Sequence, residues 1–412
     1  MMNVVKLGGI IVAIATSSVL ALELPAIAQT PESGSVHVQT DRVSEANTLE
    51  ERGKTDYLQG RFFSAQQFYQ QALKLRQDIG NPVKLAHTLI HLAAVKVSLE
   101  DYDIALKLLN QARELAQSQE NIATEVEALT GLSLLYEKQD LPDLALSSAQ
   151  QALELNQHLD EPEKQGHLYN QLGNLYTTLH LHSRAIEAYH QALDIFRESG
   201  NKVGEANSLN GIALVYTEEK DFEPALSPFY QALLIWQQLG NTESYATTLH
   251  NIGHLLEQEK QVELAIIFYK QSINELQLVH NQITDFSLEK QKAFMGTVSH
   301  RYRHLANLLF QHNRPEEAHQ VLDLLKLQEL DEYLHSVKGD HQLPTLNLHP
   351  VEEDILNDFL QAQAQGVEWI QDLEQLRAIP EGDRTVEQIQ KIDRLNSLYH
   401  SLHEDFNRFL QD

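Results

Sequence analysis

Residues 167–196 read HLYNQLGNLYTTLHLHSRAIEAYHQALDIF, and their apolar side chains recur at spacings of three and four: Leu168, Leu172, Leu175, Tyr176 and Leu179, then Ala185, Ile186, Tyr189, Leu193 and Phe196. That period specifies two amphipathic helices separated by a short turn. Shifting the frame by forty residues in either direction reproduces the pattern without a gap. The triplet Gln191-Ala192-Leu193 returns as Gln71-Ala72-Leu73, Gln111-Ala112-Arg113, Gln151-Ala152-Leu153, Gln231-Ala232-Leu233 and Gln271-Ser272-Ile273. A second column holds Ala65, Ala105, Ala145, Ala185, Ala225 and Ala265, and a third holds Gly53, Ala93, Ser133, Gly173, Ala213 and Gly253. Residues 41–281 are therefore six helical hairpins of one length. A single hairpin cannot bury its apolar face alone, so successive hairpins must stack into one continuous core.

Small residues in both helices allow close backbone approach, and Tyr189, Phe229 and Tyr269 are expected to fill the gap to the neighbouring hairpin. Gly80-Asn81, Gly200-Asn201 and Gly240-Asn241 close their rows with a residue that tolerates a left-handed backbone. Pro228 falls inside a second helix, where it removes a hydrogen bond and should bend that helix. The first row, with Asp56 where later rows carry Tyr136, Tyr176 and Tyr216, has the polar character of a cap.

The columns Leu172-Gly173-x-x-Tyr176, Ala185, Tyr189 and Ala192 resemble the tetratricopeptide repeat, and the forty-residue length resembles the branch of that family found in kinesin light chains. The resemblance implies an all-α, right-handed superhelical solenoid and a role in binding proteins. Residues 282–338 leave the register and are expected to form an extended seventh hairpin, with one helix over Ile283 to Gln311 and a second beginning at Arg314-Pro315. Within it, Leu322 to Val337 resembles the segment that follows the repeats in bacterial proteins joining such an array to a CHAT domain, a caspase-like peptidase module. Residues 339–350, GDHQLPTLNLHP, read as a linker, and 351–412 as a C-terminal helical hairpin around Pro380-Glu-Gly-Asp383.

The N-terminus is a separate object. Lys6 precedes an uncharged run from Leu7 to Leu22, 16 residues against the ~20 a membrane span needs. Ala26-Ile27-Ala28 then supplies a signal-peptidase site. Residues 1–28 are read as a cleaved signal peptide, with an uncleaved anchor as the alternative. The protein is thus expected outside the cytoplasm, periplasmic or extracellular, with no membrane span after cleavage. Residues 29–40 read as a flexible leader.

Of 412 residues, 42 % are hydrophobic and 22 % charged, a globular composition. With 31 Lys+Arg against 58 Asp+Glu, the net charge is 31 − 58 = −27, and no basic cluster exists to hold phosphates, which sets nucleic acid aside. No cysteine occurs, so the sequence holds no disulfide, thiolate metal site or cysteine nucleophile, and the His/Cys pair of a CHAT peptidase is missing. The pairs His87/His91, His250/His254 and His300/His304 each share a helix face, yet none has the His-Glu-x-x-His pattern and they fall in different rows. They are read as groove or surface histidines, with no metal and no cofactor.

What remains is recognition. On the face of each first helix turned toward the concave side, the middle rows present His167, Asn170 and Asn174, then Asn207 and Asn210, then His250 and His254. An amide offers a donor and an acceptor, so a ladder of Asn can hold an extended peptide backbone without reading its sequence. The alternative is that these residues only decorate a hydrated helix face. The sequence is expected to encode an exported, non-enzymatic scaffold that binds a peptide or protein partner. A rival reading makes it the recognition arm of a CHAT-type peptidase whose catalytic module is encoded elsewhere. A third, a peptide-sensing switch built on forty-residue repeats, is opposed by the export signal. Partner identity and oligomeric state have no signature in the sequence.

Overall fold

In the computed structural model the described residues are 33–282, 288–334, 345–358 and 384–395, with a few isolated positions between 361 and 397. Among them every regular element is a helix. The segment read as a signal peptide lies outside the described residues, as do parts of the expected linker and of the expected C-terminal hairpin. Within the described residues no helix is long and apolar enough to cross a membrane.

The chain divides into two compact units, one built of residues up to Ser199 together with residues 288–293, and the other mainly of residues from Gly200 on. The N-terminal unit contains four hairpins: α1 (Ser33–Leu58) with α2 (Phe62–Ile79), α3 (Pro82–Ser98) with α4 (Tyr102–Ser118), α5 (Ile122–Lys138) with α6 (Pro142–Asn156), and α7 (Pro162–Thr178) with α8 (His182–Ser199). The C-terminal unit contains α9 (Lys202–Glu219) with α10 (Phe222–Leu239), α11 (Thr242–Gln258) with α12 (Val262–Gln282), then most of α13 (Leu288–Gln311), and α14 (Pro315–Leu334). Residues 350–358 and 386–395 are also helical. α1 starts at Ser33, so residues 33–40, expected as leader, continue the first repeat helix upstream. Once a helix is nucleated, each added residue gains a hydrogen bond, which lets a polar segment extend it.

Local chemistry fixes the hairpin boundaries. At the row ends Gly80, Gly200 and Gly240 take φ of 76, 71 and 63°. The asparagine that follows caps the next helix, with Asn81, Asn121, Asn201 and Asn241 accepting at Oδ1 from the backbone N–H three residues on at 2.9–3.1 Å. Inside each hairpin, Glu100, Asp140, His180, Lys220 and Lys260 adopt φ of 56–65° although none is glycine. There the next N–H closes back onto the carbonyl five residues earlier, as in Asp101 N to Lys96 O at 2.8 Å, Leu141 N to Tyr136 O at 2.9 Å and Leu181 N to Tyr176 O at 2.8 Å. This Schellman closure satisfies carbonyls that the helix end leaves open.

Tyr269 reaches the neighbouring hairpin as expected, edge-on to His304 with ring centroids 5.2 Å apart, and Tyr69 likewise stacks on His91 at 5.7 Å, but the tyrosines also have a role within their own hairpins. Each rests on the glycine of its own hairpin: a Cβ on Gly173 would lie 2.6 Å from the Tyr189 ring, and one on Gly53 or Gly253 would lie 2.8 Å from Tyr69 or Tyr269. Removing the methyl on one helix makes room for the ring on the other. Apart from Phe196, the rest of the N-terminal core is mainly aliphatic, with Leu89, Leu92, Leu109, Leu129, Leu132, Leu172 and Leu175 interleaved with buried alanines. The C-terminal unit buries more aromatic bulk, including Phe229, Tyr230, Trp236, Phe268, Tyr269 and Tyr302. Pro228 lies inside α10, which runs as one helix from Phe222 to Leu239.

Candidate functional site

The seven residues expected to line a ligand groove all lie on first helices: His167, Asn170 and Asn174 on α7 in the N-terminal unit, and Asn207, Asn210, His250 and His254 on α9 and α11 in the C-terminal unit. Their accessibilities differ. Asn174 is exposed, and His167, Asn207 and His254 are half-buried. Asn170, Asn210 and His250 are only 3, 9 and 6 % exposed, so packing, not a ligand, occupies them. In the C-terminal unit Asn251 Nδ2 on α11 donates to Asn210 Oδ1 on α9 at 3.4 Å.

In the N-terminal unit the same face carries a chain of polar contacts from row to row. Arg76, buried, donates from Nε and Nη2 to Glu50 at 3.0 and 2.6 Å, and from Nη2 to Asn47 at 2.6 Å. His87 pairs with Glu127 at 3.0 Å, and Lys164 reaches the other oxygen of Glu127 at 3.6 Å. Burial opposes ionisation of Glu127, but the His87 hydrogen bond and the charge of Lys164 outweigh it and hold the carboxyl below its usual value. Asn174 accepts at Oδ1 from the Tyr189 hydroxyl at 2.7 Å. With its oxygen so engaged, the amide nitrogen is the group with hydrogens to offer a carbonyl. His167 packs on Phe196 with ring centroids 5.0 Å apart, and its buried Nδ1 has no hydrogen-bond partner among the described residues. Burial lowers its pKa.

The C-terminal unit brings together two histidine pairs that spacing alone placed in separate rows. His250 lies 4.9 Å from the Tyr269 ring and stands edge-on to His300 and His304 at 6.2 and 6.5 Å. Glu257 accepts from the Tyr269 hydroxyl at 2.8 Å and lies 2.7 Å from His304 Nε2. Burial, reinforced by Arg301 and the other histidines, keeps His250 neutral far below the usual histidine value. Arg301 is itself buried, donates from Nη2 to Thr247 at 3.2 Å, and has its pKa drawn down to about 10 by burial. Among the described residues no three of these side chains bring ligand atoms within 4.8 Å of one another, and ring contacts and hydrogen bonds hold the cluster together.

Sequence reasoning also missed a docked segment. Residues 345–349, expected as linker, lie on the outer side of α12. Asn274 takes both backbone groups of one residue there: Leu346 N–H donates to its Oδ1 at 2.8 Å and its Nδ2 donates to Leu346 O at 3.3 Å. Lys270, 1 % exposed, reaches Asn347 O at 3.4 Å, Glu352 at 2.7 Å and Glu317 at 2.6 Å. Arg314 completes the network with Glu317 at 2.6 Å and Glu352 at 2.5 Å. Burial works against the Glu317 charge, yet Arg314, Lys270 and His349 draw its pKa to about 2. An isolated lysine in helix α12 gave no hint of this, since its partners lie 47 and 82 residues downstream (317 − 270 = 47).

The fold and these contacts can be set beside known proteins. No functionally curated protein matches the chain in sequence. Aspartyl phosphate phosphatase F from Bacillus subtilis is 12 % identical and superposes with a TM-score of 0.53 over 76 % of this chain and 75 % of its own. The apo form of RapI, 15 % identical, gives 0.52 over 68 and 99 %, and a Rap protein complexed with competence and sporulation factor, 14 % identical, gives 0.51 over 70 and 76 %. At such identities the likeness concerns the fold alone. The tetratricopeptide-repeat profile matches in overlapping windows at residues 44–118, 84–158, 124–198, 164–233 and 204–274. These windows cover more than half of the chain in the register of the hairpins described above, and the chain belongs to the tetratricopeptide-repeat family.

Proposed function

We propose that the protein is an exported, non-enzymatic repeat scaffold that holds an extended peptide or protein segment on the polar faces of its first helices. The observation that carries this reading is the recurrence of accessible amide and imidazole groups in two columns of the repeat, His167 with Asn207 and Asn174 with His254. Their donors and acceptors suit a peptide backbone. The proposed contact groups are therefore His167 and Asn174 in the N-terminal unit and, separately, Asn207 and His254 in the C-terminal unit, with Asn170, Asn210 and His250 buried in the packing. Export rests on the short apolar run and Ala26-x-Ala28, and mass spectrometry of the exported protein should find Gln29 at its N-terminus.

The test begins with partners captured from envelope extract on the full chain and continues with each partner purified. Truncating Asn174 and Asn207 together to Ala removes hydrogen bonds worth about 0.5–1.5 kcal/mol each, and so should weaken binding roughly five- to a hundredfold with helix content unchanged. Unchanged affinity for every purified partner would falsify the reading. The likeness of Leu322 to Val337 to CHAT-linked arrays makes a caspase-like peptidase module one partner to include.

A further inference from the structure

The repeat register places two copies of one surface in this chain. Lys270 and Asn274 on α12 stand three periods after Gln150 and Glu154 on α6 (270 − 150 = 120). Glu317 is the third residue of α14, as Arg184 is the third of α8, and both helices follow a left-handed residue, Asn313 at φ 59° and His180 at φ 56°. In the C-terminal unit this surface is filled by the chain's own extended segment: Leu346 is buried, Asn274 clamps its backbone, and Lys270 receives Glu352. In the N-terminal unit the matching positions line an open cleft of about 330 Å³ between α6, α7 and α8. Leu153, Leu172 and Ala188 give it an apolar lining. Tyr169 and Tyr176 stand beside them, with Gln150 Nε2 donating to the Tyr176 hydroxyl at 3.1 Å and Arg184 held 5.9 Å over the Tyr176 ring.

We propose that this cleft binds an extended segment of a partner polypeptide, one apolar side chain seated on the leucines and a Lys or Arg side chain a few residues later. The C-terminal copy shows what such a surface accepts, and the substitutions between the copies invert its charge preference. Lys270, which takes a carboxylate, becomes the neutral Gln150, and Asn274 becomes the carboxylate Glu154. Glu187 adds a second carboxylate against the single Arg184, and both glutamates are exposed. The net charge of −27 steers the same kind of partner. The cleft shares no residue with the first-helix faces of the preceding section, so either site can fail alone.

Two fluorescent octapeptides test this on the full chain: TLNLHPVE, the sequence of residues 345–352, and its E352K counterpart, each also made with a photoreactive group. The lysine peptide should bind saturably and at least about tenfold more tightly than the native sequence. It should also crosslink to peptides spanning α6 to α8. The E154K/E187K chain, altered only at exposed positions and checked for an unchanged melting curve, should lose or reverse that preference, whereas N174A/N207A should keep it. Equal affinities for the two peptides, no saturation at millimolar peptide, or crosslinks confined to α12 and α14 would overturn the proposal.

Discussion

One register position behaves in opposite ways in the two units. In the N-terminal unit the column Asn110, Gln150 and His190 on the second helices is exposed, and Gln70 is half-buried. In the C-terminal unit the same column holds Tyr230 and Lys270, both buried. The helices are alike, and the difference at Lys270 is the segment 345–352 laid over it. A repeat fixes where a side chain stands, but what docks on it decides whether a charge there must be paired.

The strongest way to break this comparison is to remove the cation. Lys270→Met leaves buried Glu352 and half-buried Glu317 with Arg314 and His349 but without the buried ammonium between them, and should destabilise the C-terminal unit by about 3–5 kcal/mol. Gln150→Met, the same substitution site three rows earlier, should stay within about 0.5 kcal/mol. Hydrogen exchange of α12 and α6 amides reads the two units separately, and equal protection losses would erase the distinction.

A feature both units share comes next in size. Gly173→Ala drives a Cβ to 2.6 Å from the Tyr189 ring and should cost about 1–3 kcal/mol. Adding Tyr189→Leu reproduces the Ala93/Leu109 combination of the second row, so the double variant should be more stable than the sum of the single losses predicts. Additive urea midpoints would separate the two columns energetically.

Acid should weaken the C-terminal unit around His250. His250 is held neutral, its folded pKa below the ordinary 6.5, so the unfolded chain binds more protons once pH drops under 6.5 and stability falls from there. Glu317 has a folded pKa of about 2 against 4.5, so its contribution is complete above 4.5 and lost as pH falls from 4.5 toward 2. Amide protection factors, which are corrected for the intrinsic pH dependence of exchange, should fall around His250 between neutral pH and about pH 5, and His250→Leu should flatten that fall if its ring is the group that titrates.

The smallest expected effect is a gain. Glu120 holds φ 50° where other row ends have glycine, so Glu120→Gly should stabilise by about 0.5–1 kcal/mol by relieving a left-handed side-chain residue. A lower melting temperature would show that the glutamate makes up for its strain.

The hairpins were legible because period and residue size reinforce each other: Gly173 with Tyr189 and Ala93 with Leu109 are visible as paired columns sixteen residues apart (189 − 173 = 16). The left-handed turns at Glu100, Asp140, His180, Lys220 and Lys260 left no compositional mark, since the Schellman hydrogen bonds impose that backbone on whatever residue stands there. The candidate face was legible only by half. Helical geometry placed Asn174 and Asn207 where the structure leaves them accessible, but the burial of Asn170, Asn210 and His250 depends on tertiary packing that the period does not encode. The docked segment was invisible because its two prolines mark a break in regular structure equally well whether the chain beside them is loose or clamped by Asn274.

The distance along the chain between Lys270 and Glu352, 82 residues, also has a meaning in time. At roughly 5–20 residues per second, a ribosome that has made α12 needs about 4–16 s more to make its cover. Each N-terminal row meets its partner within forty residues and can close as it emerges. Through that interval α12 stands with a lysine and an asparagine open on a face that belongs under another strand of chain, which makes this helix the place where a holding chaperone, or a competing extended segment, has the longest opportunity to engage.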